Sequence, residues 1–498
     1  MDNSVEDNAV TPTASRGARS ERGQHRRKNN RRGHKQHPLL AVLVVLGLLA
    51  AACSRSDDAP EEAEETPAEG EGDGGGSDGG TGGEGLDGGA FGDLGTVCQD
   101  GDASGATDVG VTDDQITVGT VTDKGFTVRA GLTKEMYDTA VAFANWCNEQ
   151  GGINGRELVV SDRDAKGPEY NLRIGEACGE DFALVGGGAV FDNADGTARV
   201  DCGLPNIPGY VVTPQARASD LQVQPLPNPI GELPVQQYTR MLELHPEATN
   251  FGVLWVDFNG VATVHDQIIE GVEALGFDVV YDEVYAPIGE TGWRNFVQQM
   301  RDADVQTFEL IGEPENYSDL LNAMESEGWY PEVIVEQPNM YEARIEEEAA
   351  GSAGQNIYVR TTFPTFDMAD ENQAVADYLQ LMEDYGEGDA RFPAMLGMQA
   401  LSSYLLFAQA ATECGSELTR ACLVETAMGV DEWTAGGLHA PTNPGNREAS
   451  RCGILIHFAE GGYVYDEEAT APTEGIYNCD EGNVGILTGD YGVEPPEE

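Results

Sequence analysis

Basic residues are scarce in this chain: 28 Lys and Arg stand against 87 Asp and Glu, a formal net charge of -59 over 498 residues. With so little to neutralise phosphates, a broad nucleic-acid-binding face is excluded. Histidine is rarer still, with seven isolated residues, and the absence of HExxH removes a common metallohydrolase signature. No two cysteines stand at CxxC spacing, so the usual zinc motifs go as well and no metal or other cofactor is expected. No Ser or Cys has a recognisable nucleophile context. The pattern GxSxG at 75–79 and GxGxxG at 74–79 both fall in a glycine tract, with neither the strand before nor the helix after that such motifs need. Long apolar runs are also missing. The run at 39–52 has 14 residues, short of the roughly 20 that cross a bilayer.

What is present starts with a polar, basic stretch over 1–38, including Arg26, Arg27, Lys28, Arg31, Arg32 and Lys35. The short apolar run follows and ends in Ala50, Ala51, Ala52 and Cys53. Basic flank, apolar core and small residues describe a secretory signal over 1–52. The cysteine after the small residues resembles a bacterial lipobox, which implies Cys53 as the lipidated first residue of the mature chain, tethered to the membrane on its extracytoplasmic side. A single-pass anchor is the alternative and leaves the rest outside the cell all the same. Removing 1–52 takes nine Lys and Arg but only four acidic residues, so the remainder is more acidic still. Such a surface stays soluble by self-repulsion. Residues 54–95 are rich in Gly, Glu, Asp and Ala, so an acidic tether is expected over 53–113.

The stretch 115–188 alternates strand and helix. Leu132, Met136, Ala140, Phe143 and Cys147 recur at spacings of three and four, one buried face of a helix that Gly151 and Gly152 stop. Ile116, Val118 and Val121, then 158–160, then 182–185 are short apolar runs bounded by turns, as in buried parallel strands. A fourth strand is expected over 207–212, and Pro225, Pro227 and Pro229 suggest a crossing segment. The alternation then repeats from 250 to 337, a further strand covers 357–363, and helices follow near 369–386 and 394–413. A hairpin is expected around Gly461 and Gly462. Strands alternating with helices predict an α/β chain with two doubly wound sheets, whose ligands sit beyond the carboxyl ends of the strands. At 162–167, DRDAKG has the look of a calcium loop, but Lys166 and Arg173 occupy positions five and twelve, where an EF-hand needs oxygen ligands.

The strand ITVGTV, the phrase NEQGGINGRELVV around Gly151–Arg156 and the acidic DRD resemble the type I periplasmic binding proteins, in the leucine/isoleucine/valine-binding branch of ABC importers. The resemblance covers about 114–485. It implies two doubly wound lobes joined by crossing hinge strands, with a central cleft that closes on a ligand. Lobe one would be 114–228 plus 361–438, and lobe two 229–360 plus 439–488. A bridge across the cleft would lock the hinge, so disulfides are expected within lobes: Cys414 with Cys422, Cys452 with Cys479, and Cys98, Cys147, Cys178 and Cys202 among themselves. The partners implied are a small-molecule ligand and the permease subunits of an importer, with no catalytic residues. A sensor of the same fold is the rival reading, and an extracellular hydrolase the remote one.

The same resemblance indicates where a ligand is held. In lobe one the loop 186–193 offers Phe191, Asp192 and Asn193, with a helix expected to start near Asn193 and present its positive end. Tyr210 and Val211 follow the next strand. The family's amino-acid binders carry hydroxyl residues at these two places, and this chain lacks the Ser/Thr pair. Phe126, in the DKGF loop after the first strand, stands where the family often has PLTG. Across the cleft, Phe258 ends a strand, Glu313 and Tyr317 follow the third strand of that lobe, and Gln337 follows the fourth. Branched-chain and other amino acids, amides, urea and aromatic acids all remain open as ligands.

Overall fold

The computed structural model describes residues 86–193, 195–387 and 393–492. The expected signal, Cys53 and the tether up to residue 85 lie outside them. Strand β1 (Gln115–Thr122), helix α1 (Lys134–Glu149), β2 (Glu157–Asp164), α2 (Tyr170–Glu180), β3 (Ala183–Val185) and β4 (Asn206–Ile207) form the first α/β layer. Its sheet is parallel, in the order β2-β1-β3-β4. β1 is interior, and both of its faces are covered, which is why it reads as a nearly continuous apolar run. α1 buries Met136, Ala140, Phe143 and Cys147 as its period predicts. Gly151 and Gly152 then turn the chain at φ 104° and 78°. A side chain at Gly152 would put its Cβ 2.1 Å from the Arg156 carbonyl oxygen, so only glycine fits the turn.

The chain continues through α3 (Pro214–Arg217), β5 (Glu232–Pro234) and α4 (Gln236–Leu244) into a second layer. That layer comprises β6 (Asn250–Val256), α5 (Asn259–Leu275), β7 (Asp278–Tyr285), α6 (Trp293–Asp302), β8 (Thr307–Ile311), α7 (Pro314–Glu327), β9 (Val333–Glu336), α8 (Ala343–Glu348) and β10 (Ile357–Thr361). Helices α9 (Gln373–Tyr385), α10 (Met395–Cys414) and α11 (Arg420–Met428) then return to the first lobe, where α9 and α10 pack on α1. The hairpin β11 (Ile454–Ala459) and β12 (Gly462–Tyr465), α12 (Glu467–Thr470) and β13 (Val484–Ile486) complete the second lobe. Its sheet runs β12-β11-β10-β9-β8-β6-β7, parallel from β7 to β10 and antiparallel through β11 and β12. β13 pairs antiparallel with β5 beside the first crossing.

Three features differ from the sequence expectation. Residues 86–113, counted with the tether, are folded: Leu86, Phe91, Val97, Cys98 and Val111 are buried, and Cys98 is bonded to Cys147 of α1. The strand expected over 207–212 ends at Ile207, because Pro208 cannot donate to a ladder and Gly209 lies against Met136. The helix expected near Asn193 is a five-residue π turn, Asp195–Arg199, pinned by a fully buried Asp195–Arg199 ion pair at 2.8 Å. No helix dipole of useful length therefore faces the cleft from this loop.

The remaining disulfides join Cys178 to Cys202, Cys414 to Cys422 and Cys452 to Cys479. The first two lie in the first lobe and the last in the second, so none of the four ties one lobe to the other. No helix among the described residues is long and apolar enough to cross a membrane.

Candidate functional site

The loops at the carboxyl ends of the two sheets face each other. In the first lobe two carboxylates fix their shape. Asp123, just after β1, accepts from Gly167 N at 2.7 Å and Val190 N at 2.8 Å, which ties the loops after β1, β2 and β3 together. Asp192 accepts from Val212 N at 2.8 Å and Thr213 N at 2.9 Å, joining the loop after β3 to the one after β4. Burial pushes the Asp192 carboxyl up to about 6. Its oxygens are engaged by backbone, so it holds the wall of the site. Val211 beside it is buried and Asn193 is exposed.

Three aromatic rings meet across the interface of the lobes. Phe126 and Phe191 of the first lobe lie 5.8 Å apart, edge to face, and Phe258, between β6 and α5, lies 6.2 Å and 5.7 Å from them. Such a cluster excludes water and gains favourable edge-to-face contact. Tyr210 stands over Gly188, whose Cβ, if present, would fall 2.4 Å from the ring. The glycine in GGGAVFDN therefore makes room for Tyr210. Burial first, then Asp123 and Glu313, keeps the Tyr210 phenol protonated.

The interface also holds an ionic cleft of about 350 Å³. Arg129, from the loop after β1, reaches across to Glu313 at 2.9 Å and to Glu315. Arg344 also pairs with Glu315 and lies 3.5 Å from Glu342. Burial disfavours the Arg129 charge, but Glu313 and Glu315 outweigh it and raise its pKa. Glu135, in the first turn of α1, also lines the cleft. Burial, reinforced by Glu342, lifts its carboxyl to about 7. Burial raises Glu313 as well, against the pull of Arg129.

A second cavity of about 250 Å³ lies where the crossing segments run between the lobes, lined by Tyr210, Arg217, Gln237, Gln337, Arg360 and Gln399 among others. Met395 lines both cavities. Gln337 donates from Nε2 to Glu309 Oε1, and Tyr238 donates to Glu309 Oε2 at 2.6 Å. Glu309 on β8 and Glu336 on β9 are both buried. Burial lifts Glu309 to about 7, and burial together with Glu309 raises Glu336 well above the usual carboxylate range.

Phe126, Phe191, Phe258, Tyr210, Glu313 and Gln337 thus come from six separate loops onto the interface or its two cavities. Tyr317 does not join them; it is fully buried in the second lobe and its hydroxyl has no partner. Arg129, Glu135, Glu342, Arg360 and Gln399 escaped the sequence reading. The signal for Arg129 was available, a cation in the acidic chain's first cleft loop. Glu135 and Arg360 sit inside regular elements, where local pattern says nothing about a cleft.

The model of a family described as periplasmic binding protein matches residues 115–462. Among solved structures, a fatty acid ABC transporter substrate-binding protein from Thermomonospora curvata shares 16% identity over 75% of this chain and 98% of that one, with a TM-score of 0.59. The leucine binding protein LivK from Thermotoga maritima shares 13% over 70% and 97%, at 0.55. LivJ from Streptococcus pneumoniae, in complex with isoleucine, shares 16% over 71% and 100%, at 0.54. These likenesses concern the fold. No curated relative matches the chain by sequence. With a family match that begins at the first residue of β1, runs through both lobes and ends at the first residue of β12, the chain belongs to the periplasmic binding protein family.

Proposed function

We propose that this chain is an extracytoplasmic solute-binding lipoprotein. It is anchored through Cys53, captures a small polar ligand between its lobes and hands it to the permease subunits of an ABC importer. The lobes move as 86–228 plus 361–438 against 229–360 plus 439–488. The observation that carries this reading is the interface itself: a polar cleft of about 350 Å³ bridged by Arg129 to Glu313, in an interface that the Phe126–Phe191–Phe258 cluster also joins.

The chemistry of the walls favours an amino acid or amide-like compound. An ammonium or amide N–H group meets Glu135 and Glu313, and an apolar side chain meets Met395 and Leu396. A fatty acid, the cargo named for the Thermomonospora protein, finds no long apolar channel in these charged walls. The ligand favours the closed state in proportion to its additional contacts there, and no covalent step is involved.

Thermal unfolding of the oxidised mature protein with amino acids, amides, urea and aromatic carboxylates tests this. A ligand present at about 100 times its Kd stabilises by about 2.7 kcal/mol, so one chemical class is expected to raise the midpoint and be recovered unchanged. A panel that leaves the midpoint where it was, or a compound that is consumed, contradicts the reading.

A further inference from the structure

The second cavity, at the crossing segments, holds an unusual arginine. Most arginines near the site follow the chain's composition and pair with carboxylates, as Arg129 and Arg344 do. Others are buried without a carboxylate but have every donor nitrogen occupied. Arg156 gives Nε, Nη1 and Nη2 to the carbonyls of Thr112, Gly415 and Gly105 at 3.1, 2.9 and 3.3 Å. Arg217, on the wall of the same cavity, gives its three to Asn228 O, Gln267 Oε1 and Pro229 O at 2.9, 2.7 and 2.6 Å. These are structural arginines with neutral acceptors all round.

Arg360 is built differently. It is only 5% exposed, at the fourth position of β10. Nη2 alone is bonded, to Ser450 O at 3.0 Å and Cys452 O at 3.3 Å. Among the described residues, Nε is buried with no partner, Nη1 has no hydrogen bond, and no carboxylate pairs with the guanidinium. Burial pulls its pKa down to about 10, so it is still charged at neutral pH. A buried charge held by two carbonyls in a chain with 87 acidic residues carries an uncompensated desolvation cost. Other polar groups on the same cavity wall are also incomplete: Gln237 Oε1 and Gln399 Oε1 are buried without partners, two acceptors open to an N–H or O–H donor. The one carboxylate lining the cavity, Glu232, accepts from Ala449 N at 2.8 Å and pairs with neither arginine.

We propose that the hinge cavity is a carboxylate-binding subsite in which the Arg360 guanidinium receives the acid group of the captured solute. A carboxylate accepts charge-assisted hydrogen bonds from a guanidinium, here from the nitrogens that Ser450 and Cys452 leave free, and the Gln399 amide nitrogen and the Tyr210 hydroxyl on the same wall are further donors. The cavity is formed by both lobes and the segments that cross between them, so an anion here makes all its contacts only when the lobes adopt this arrangement. This assignment rests on the solute-binding reading and narrows it to carboxylate-bearing solutes.

The test uses matched pairs on the oxidised mature protein: leucine with leucinamide, phenylacetate with phenylacetamide, and hexanoate with hexanamide, each followed by calorimetry and thermal unfolding. At least one acid is expected to bind and its amide to bind at least tenfold more weakly. Arg360→Gln is expected to weaken the acid by about tenfold to a hundredfold, the range for a hydrogen bond to a charged group, and to leave the weak amide unchanged. Should Arg360→Gln fail to fold, Gln399→Leu decides instead. Its side chain makes no hydrogen bond among the described residues, and its loss is expected to weaken the acid by about tenfold. An acid that binds no better than its amide, or that ignores both substitutions, overturns the subsite and leaves the solute-binding reading standing. If no compound binds the wild type, both fall together.

Discussion

Replacing Asp192 by alanine is expected to cost about 3–5 kcal/mol of stability. The carboxylate takes two backbone N–H groups, from Val212 and Thr213, in a place that is only 3% exposed. Alanine leaves both donors buried without a partner, and each unmet donor costs about 1–3 kcal/mol. Asp192→Asn keeps one acceptor oxygen and is expected to lose about half as much. Urea unfolding of both variants measures this. Losses below about 1 kcal/mol for alanine, a value typical of exposed positions, would show that the loop is held by something other than Asp192.

Glu309→Gln is expected to act in the opposite direction. Burial lifts the Glu309 carboxyl to about 7, above its value in the unfolded chain. Its contribution is therefore fully present below the unfolded pKa and is lost as pH rises through about 7. The wild type loses stability from pH 5 to pH 8 at this residue, and the neutral glutamine does not. The variant is expected to be more stable than the wild type by on the order of 2–3 kcal/mol at pH 8, and by less than about 1 kcal/mol at pH 5. Unfolding at the two pH values separates these cases, and a variant weaker than the wild type at both would mean that the bonds from Tyr238 and Gln337 require the carboxylate.

How far the fold could be read in advance depended on the range of the interactions involved. The α1 face, the strand runs and the Gly151–Gly152 stop are set within a few residues, and they stand where their periods and glycines place them. The π turn at Asp195–Arg199 depends on the Asp195–Arg199 pair and on Tyr170, which donates to Asp195 from α2 at 2.9 Å; a sequence window around Asn193 does not contain that partner. The site divides in the same way. Phe126, Phe191 and Phe258 were visible as aromatic residues after strands. Arg360 was hidden in IYVRT, an apparently ordinary strand end, because its lack of an acidic partner is decided by segments 90 or more residues away, at Ser450 and Cys452. Tyr317 failed for a related reason: its place just after a strand put it on a helix, α7, that turns its ring into the second lobe's core.

Capture by lobe closure is the central claim, and an interlobe distance tests it most directly. Leu172 on α2 and Ile288 after β7 are 54% and 78% exposed, one on each lobe, and Leu172→Cys with Ile288→Cys admits two spin labels while the native disulfides stay oxidised. Pulsed electron resonance on the mature chain is then read with and without the panel compound that stabilises it. The account predicts a broad or longer distance distribution without the compound, and a single, narrower and shorter one that saturates with it. Tight binding that leaves the distribution unchanged would contradict it.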